Sequence, residues 1–187
     1  MGFFMLMKQV VMVFALPLLG VAHAQTCKPN SIPATTPSSQ FADNHDGTVT
    51  DNKTGLMWKR CSEGQTWDSG VDDCNGNAVT YTWQSGLQQA QTVNTSGGFA
   101  GYSDWRLPNI TELESIVEEQ CYRPAINLTV FPNTSSSYPS SHFWSSSPIA
   151  YNVAYNGNTA WLVSDDGLSG AGGMNGSFGV RLVRGGQ

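Results

Sequence analysis

Apolar residues recur at three-and-four spacing in two stretches of this chain. The clearer one follows Tyr102-Ser103-Asp104-Trp105-Arg106-Leu107-Pro108: Ile110, Leu113, Ile116 and Val117 make one stripe, and Glu112, Glu114, Glu118 and Glu119 fill the positions between. Pro108 disfavours the α conformation at Leu107, Asn109 can accept from the first free amides, and Glu112 stands three residues on, completing a capping-box pattern. A helix is therefore expected from about residue 110 to Cys121, with Glu112 and Glu114 at the positive end of its dipole. The second stripe, Trp83, Leu87, Ala90 and Gln91, follows a capping Thr82 and predicts a helix from Trp83 to about Val93. Gly86 is its weak point, and the loop Asn94 to Ala100 ends it.

Elsewhere the period is two. Thr48-Val49-Thr50-Asp51 and Leu56-Met57-Trp58-Lys59-Arg60 flank the turn Asn52-Lys53-Thr54-Gly55 and predict a half-buried hairpin. Past Tyr122, short apolar pieces stand between polar turns and predict strands at Ala125–Asn127, Val130–Pro132, Phe143–Ser147, Ala160–Val163 and Val180–Arg184. In the last of these Val180 and Leu182 should face the core, with Arg181 and Arg184 near its boundary. Residues 165–179 carry Gly167, Gly170, Gly172, Gly173, Gly176 and Gly179 and are expected to form a surface loop. Residues 28–40 hold three prolines and read as an extended arm tethered by Cys27. The pattern gives an α+β fold of two helices and a twisted, mainly antiparallel sheet with long loops: an arm over 25–40 and one domain over 41–187.

Residues 1–24 stand apart. Lys8, the apolar run Val10 to Leu19 and Ala22-His23-Ala24 have the three parts of a secretory signal, cleaved after Ala24. No other segment is apolar enough to span a bilayer, so the expected product is an exported chain in the periplasm, outside the cell or on its surface. Removing the signal takes Lys8 from nine basic residues and none of the fourteen acids, leaving a formal charge of −6. That balance excludes a nucleic-acid partner held by bulk charge.

Cys27, Cys61, Cys74 and Cys121 are an even set in an oxidising compartment, which favours two disulfides. Of three possible pairings, Cys61 with Cys74 is expected because these two flank the polar excursion Ser62–Asp73; Cys27 is then left for Cys121. In the chain-entropy picture such closures contribute roughly 3 and 4.5 kcal/mol. A zinc site needs paired short spacings that are absent.

Candidate chemistry is sparse. Asp43, Asp46 and Asp51 precede or follow glycine turns in the manner of a calcium loop, but they lack its alternate-position carboxylates and bidentate glutamate; turn chemistry is the expectation, with no metal or other cofactor. Ser145-Ser146-Ser147 lies near His142 without a nucleophile elbow. Trp58, Trp105, Trp144 and Trp161 sit in apolar patterns and are expected in the core, leaving Trp67 as the exposed tryptophan. Asp104 and Arg106 read as an ion pair, either at a ligand site or, preferably, as a brace for the loop before the helix. Trp105, Trp144 and Arg181 are assigned structural roles. Recognition, if present, falls to Tyr151, Asn152, Tyr155, Asn156 and Asn158 in one loop and to Asp165, Asp166 and Asn175 in the next.

Gly47-Thr48-Val49-Thr50-Asp51, Gly55-Leu56-Met57-Trp58, Ser103-Asp104-Trp105-Arg106-Leu107-Pro108, Glu112-Leu113, Phe143-Trp144-Ser145-Ser146 and Val180-Arg181-Leu182-Val183-Arg184 occur in this order. Over roughly residues 41–184 the chain thereby resembles the Lcl C-terminal domain family, long carried as a domain of unknown function in exported bacterial proteins. Its founding member is a collagen-like adhesin with a glycosaminoglycan-binding terminal domain; the present chain has no Gly-X-Y repeat and is acidic. A looser likeness, carried by Arg106-Leu107-Pro108 and Gly179-Val180-Arg181, extends to the C-type lectin-like fold. The enzymatic members of that fold use cysteine or histidine metal sets that this chain lacks. The resemblance implies a non-catalytic exported domain recognising a surface glycan or protein, in the manner of an adhesin. The alternatives are a carboxylate-dependent hydrolase acting on glycans and a structural envelope component.

Overall fold

A computed structural model describes residues 25–150 and 157–185. Residues 1–24, expected to be a secretory signal, and the candidate ligand residues Tyr151, Asn152, Tyr155 and Asn156 lie outside the described residues.

The fold is α+β, with two helices, antiparallel sheets and two disulfides. Along the chain run β1 (Thr26–Cys27), β2 (Phe41–Asp43), β3 (Thr48–Asp51), β4 (Met57–Lys59), β5 (Thr66–Asp68), β6 (Asp73–Asn75), β7 (Thr80–Tyr81), α1 (Trp83–Thr95), α2 (Ile110–Glu114), β8 (Cys121–Tyr122), β9 (Phe143–Ile149), β10 (Thr159–Val163), β11 (Ser169–Gly173), β12 (Phe178–Gly179) and β13 (Val183–Arg184). A five-stranded sheet has the order β11-β10-β9-β12-β7, and a four-stranded one β13-β4-β3-β2. The predicted hairpin forms with Val49 opposite Trp58 and Thr50 opposite Met57.

The sheets and helices enclose two adjoining apolar clusters. One gathers Phe41, Val49, Leu56, Trp58, Leu113, Ile116, Phe131 and Val183. The other gathers Ala90, Trp105, Leu107, Trp144, Leu162, Phe178, Val180 and Leu182. Trp58, Trp105 and Trp144 are fully buried. Each indole removes roughly 150–250 Å² from water, on the order of 4–6 kcal/mol before conformational entropy is subtracted.

Helix α1 starts where Thr82 accepts from the Ser85 amide, and runs two residues past the expected end. Gly86, its weak point by propensity, is where the helix touches the sheet: a Cβ there would lie 3.1 Å from Val180 Cγ2. Helix α2 begins as expected, with Asn109 and Glu112 forming a reciprocal capping box, but it stops at Glu114. Ile116 stays buried without being helical, Val117 bridges to Ile126, and Cys121 belongs to β8. The turn is stopped by side chains. Ser115 Oγ donates to Glu112 O at 2.6 Å, and the Glu118 carboxylate accepts from the amides of Thr35, Thr36 and Gln120 at 2.9–3.0 Å.

Three other expectations fail. Ala125–Asn127 makes only the single bridge from Ile126 to Val117, and Val130–Pro132 lies in a turn; the buried Ile126, Val130 and Phe131 plug the first cluster. The glycine-rich segment 165–179 contains β11 and β12, because glycine at 172 makes room for a neighbour: a Cβ would meet Trp144 Cη2 at 2.6 Å and Leu162 Cδ2 at 2.7 Å. Arg181 does not lie near the boundary but is buried, with Val180, Leu182 and Val183, because both faces of the closing segment are covered. The excursion Ser62–Asp73 also carries pairing of its own, between β5 and β6.

Cys27–Cys121 and Cys61–Cys74 are both formed, the pairing expected from the sequence. No described helix is long and apolar enough to cross a membrane.

Candidate functional site

An open groove of ≈ 690 Å³ lies on the described surface. Its floor is β11, together with Leu162 of β10; Met174, Asn175, Phe178, Tyr138 and His142 form the facing wall, and Asn158, Ser164 and Leu168 close its ends. Gly170 leaves its part of the floor without a side chain, so a ligand there would meet backbone, whereas the space beside Gly172 is filled by Trp144 and Leu162. Tyr138 and Leu168 project into solvent, 70% and 68% exposed, the two most open large apolar residues of the described chain.

Tyr138 is exposed yet not loose. Its ring lies 5.2 Å from the His142 ring and 5.9 Å from the Phe178 ring, near-perpendicular to both. His142 stacks on Phe178 at 5.9 Å, and Phe178 meets Trp144 edge-to-face at 4.9 Å. The exposed phenol is thus the outer member of an aromatic chain anchored on a fully buried indole. Edge-to-face pairs of this kind contribute about 0.5–1.5 kcal/mol each beyond their burial. Among the described residues, no lysine, arginine, aspartate or glutamate lines the groove. Glu114 reaches its edge, accepting from the lining Ser169 Oγ at 2.5 Å; in the turn between β10 and β11, burial and a hydrogen bond from Asp166 push the Asp165 carboxyl above its usual range, against a lowering influence of His142.

Of the sequence candidates, Asn158 and Asn175 line this groove, whereas Asp165 and Asp166 do not; Asp165 lines a separate small cavity with Val117 and Ala125. Tyr138, His142 and Phe178 were not singled out by sequence reasoning for recognition. Tyr138 stands in the run Ser135-Ser136-Ser137-Tyr138-Pro139, which has the composition of a plain turn; a lone aromatic in a Ser/Pro stretch was the available signal.

The other candidates lie elsewhere. Asp104 and Arg106 do not pair with each other. Arg106 meets Glu112 through two 2.7 Å bonds and Gly185 O at 2.8 Å, tying the loop before α2 to that helix and to the chain end. Burial raises the Glu112 carboxyl, but Arg106 and the Asn109 amide outweigh it and hold its pKa below the usual value. Asp104 takes two bonds from Arg184, which also covers the Tyr102 ring at 3.7 Å. Trp105 donates to Phe99 O and Trp144 to Tyr81 O.

Asp43, Asp46 and Asp51 are spent on local turns and on Arg60: Asp43 accepts from His45 N and Arg60, Asp46 from Thr48, and Asp51 from Gln40, Lys53 and Thr54. Among the described residues no three His, Cys, Asp or Glu side chains converge as a metal set. Ser145 Oγ donates to Trp161 O, and Ser147 Oγ accepts the Ile110 amide at the start of α2. The tryptophans exchange places relative to expectation. Trp67 is half-buried beneath the Arg60 guanidinium at 4.3 Å, whereas Trp161, opposite the small Ala171 on a strand near the sheet edge, is 36% exposed.

A family model described as the Lcl C-terminal domain matches residues 47–184. No curated protein matches the chain.

Proposed function

The chain belongs to the Lcl C-terminal domain family, and from that premise we propose that it is a non-catalytic recognition domain, exported to an oxidising compartment, that takes an uncharged face of a surface ligand into the Tyr138 groove. The observation that carries this reading is the groove itself: an open surface without Lys, Arg, Asp or Glu among its described lining residues, with a braced, exposed aromatic ring at its wall and amides at Asn158 and Asn175. A ring held in place before binding loses little conformational freedom on contact, and its apolar face with amides close by suits the mixed polarity of a neutral glycan. The likeness of Arg106-Leu107-Pro108 and Gly179-Val180-Arg181 to C-type lectin-like domains supports the same class of activity. The two disulfides support an extracytoplasmic setting.

The hydrolase reading draws less support. Asp165 and Asp166 are close enough to hydrogen-bond each other, nearer than the separations of about 5 to 9.5 Å at which paired carboxyls hydrolyse glycosides.

The test is an array of neutral glycans, sulfated glycans and envelope proteins probed with the mature chain. Tyr138→Ala should lower binding about tenfold or more, equivalent to roughly 1.4 kcal/mol, measured well below a melting temperature that the loss of two ring contacts also lowers. Equal binding by wild type and Tyr138→Ala, or no binding by either, would refute the reading.

A further inference from the structure

Most strand edges of the described chain are guarded. β2 carries Asp43, paired with Arg60; β13 is met by Arg106 through both ladder bonds of a bridge to Val183; β5 and β6 carry Asp68 and Asp73; β1, β7 and β8 are only two residues long. β11 is the exception. Ser169-Gly170-Ala171-Gly172-Gly173 ends its sheet with five regular pairs to β10 and has no charge, proline or bulge of its own. Exposed edges lacking such devices are templates for another strand.

The register fixes which groups are free. Met174 N donates to Asn158 O at 3.0 Å and Ser164 N to Leu168 O at 2.9 Å, so the ladder bonds fall at 158–174, 160–172, 162–170 and 164–168. The backbone groups of Ser169, Ala171 and Gly173 therefore point away from β10. Of these, only Gly173 O has a backbone partner among the described residues, accepting from Gly176 N at 2.7 Å. The amides of Ser169, Ala171 and Gly173 and the carbonyls of Ser169 and Ala171 form an open row with the two-residue spacing of a strand edge.

The geometry points to a second copy of this chain as the occupant, paired through β11 about a two-fold axis at Ala171. In that arrangement Ala171 faces its counterpart and Ser169 faces Gly173 of the other copy, so every outward residue meets an outward residue. Charge selects this direction. Glu114, which accepts from Ser169 Oγ at 2.5 Å, together with Asp165 and Asp166, makes the Ser169 end acidic, whereas residues 174–177 carry no charge. Antiparallel pairing sets each acidic end against a neutral one; parallel pairing would stack acid on acid. Repulsion from net charge farther away is screened beyond about 8 Å at physiological salt. The join makes one continuous sheet and sets two copies of the β11 groove side by side, a bivalent surface.

The test is sedimentation of the mature chain from low to high micromolar concentration, with amide hydrogen exchange on the same samples. The expected result is a concentration-dependent dimer, with exchange at Ser169, Ala171 and Gly173 slowing as it forms. Ala171→Pro removes an outward amide that bonds nothing among the described residues, and Ala171→Lys charges the edge; either should give a monomer with wild-type melting behaviour. A wild-type monomer at every concentration overturns the inference. So does a dimer that persists in a folded variant, or one that leaves those three amides unprotected. Because none of these readouts uses a ligand, they separate this inference from the groove's recognition role.

Discussion

Arg181 shows how far a single side chain can depart from the pattern around it. It is 1% exposed; it donates to Lys59 O, Arg60 O, Ser62 Oγ and Thr134 Oγ1, and its guanidinium lies over the rings of Phe131 and Phe143 at 4.8 and 5.4 Å. Burial pulls its pKa down to about 9, partly opposed by Glu63. A depressed folded pKa means that folding is favoured above the unfolded value and that this contribution is lost as pH falls through about 9. Around neutrality, then, the charge is carried at a cost, and the carbonyls it satisfies must outweigh that cost. Arg181→Met keeps the bulk but orphans two carbonyls in a dry site. It should destabilise by about 3 kcal/mol in urea titration at pH 7, since each buried unsatisfied group costs about 1–3 kcal/mol. A more stable variant would mean that charge burial dominates. Alternation along Val180–Arg184 could not reveal this burial, because the partners come from residues 59–62 and from Thr134, far off in sequence.

At the scale of elements, what was legible was what a few neighbouring residues decide. Asn109 with Glu112 starts α2, Thr82 starts α1, and the period-two run of β3 and β4 sets its own register. What was illegible was decided across the chain. The stripe Ile110, Leu113, Ile116, Val117 is buried as expected for Leu113 and Ile116, yet the helix stops after one turn because Glu118 is recruited by the arm. Burial raises that carboxyl, but the amides of Thr35, Thr36 and Gln120 prevail and its pKa is lowered. The sign follows: Glu118 contributes stability above its unfolded pKa, and that contribution is lost as pH falls through the depressed folded value. The protection of the Thr35 and Thr36 amides, taken against their intrinsic exchange rates at each pH, should therefore fall selectively in acid. In Glu118→Gln those amides should already exchange faster at pH 7, with the acid step gone. An acid step of equal size in the variant would assign it to another carboxyl.

Over the whole molecule the ordered motifs were enough to identify the domain, and the spacing of four cysteines was enough to pair them. The groove was not legible, because it joins Tyr138 and His142 to residues 158–178 only after β11 folds onto β10, and β11 is written in glycine and serine. The two disulfides act on different lengths of chain, with sequence separations of 13 and 94. The longer closure removes more freedom from the unfolded state, roughly 4.5 against 3 kcal/mol. It is also the less isolated of the two. Around Cys27–Cys121 the arm is held by Gln25, which donates to Pro124 O and Ile126 O, by Lys28 N donating to Gln120 O, and by the Glu118 contacts. These bonds keep the folded arm in place when the sulfur link is cut, so Cys27→Ser with Cys121→Ser should act on the unfolded chain. Its unfolding rate should stay near wild type while its refolding slows, for a net loss of about 3–4.5 kcal/mol in denaturant titration. Cys61→Ser with Cys74→Ser should behave differently. Cys74 is fully buried, so two hydroxyls in that site add a desolvation cost to the native state and should speed unfolding as well. If the Cys27–Cys121 variant instead unfolds faster with unchanged refolding, the link is part of the native packing and the arm depends on it.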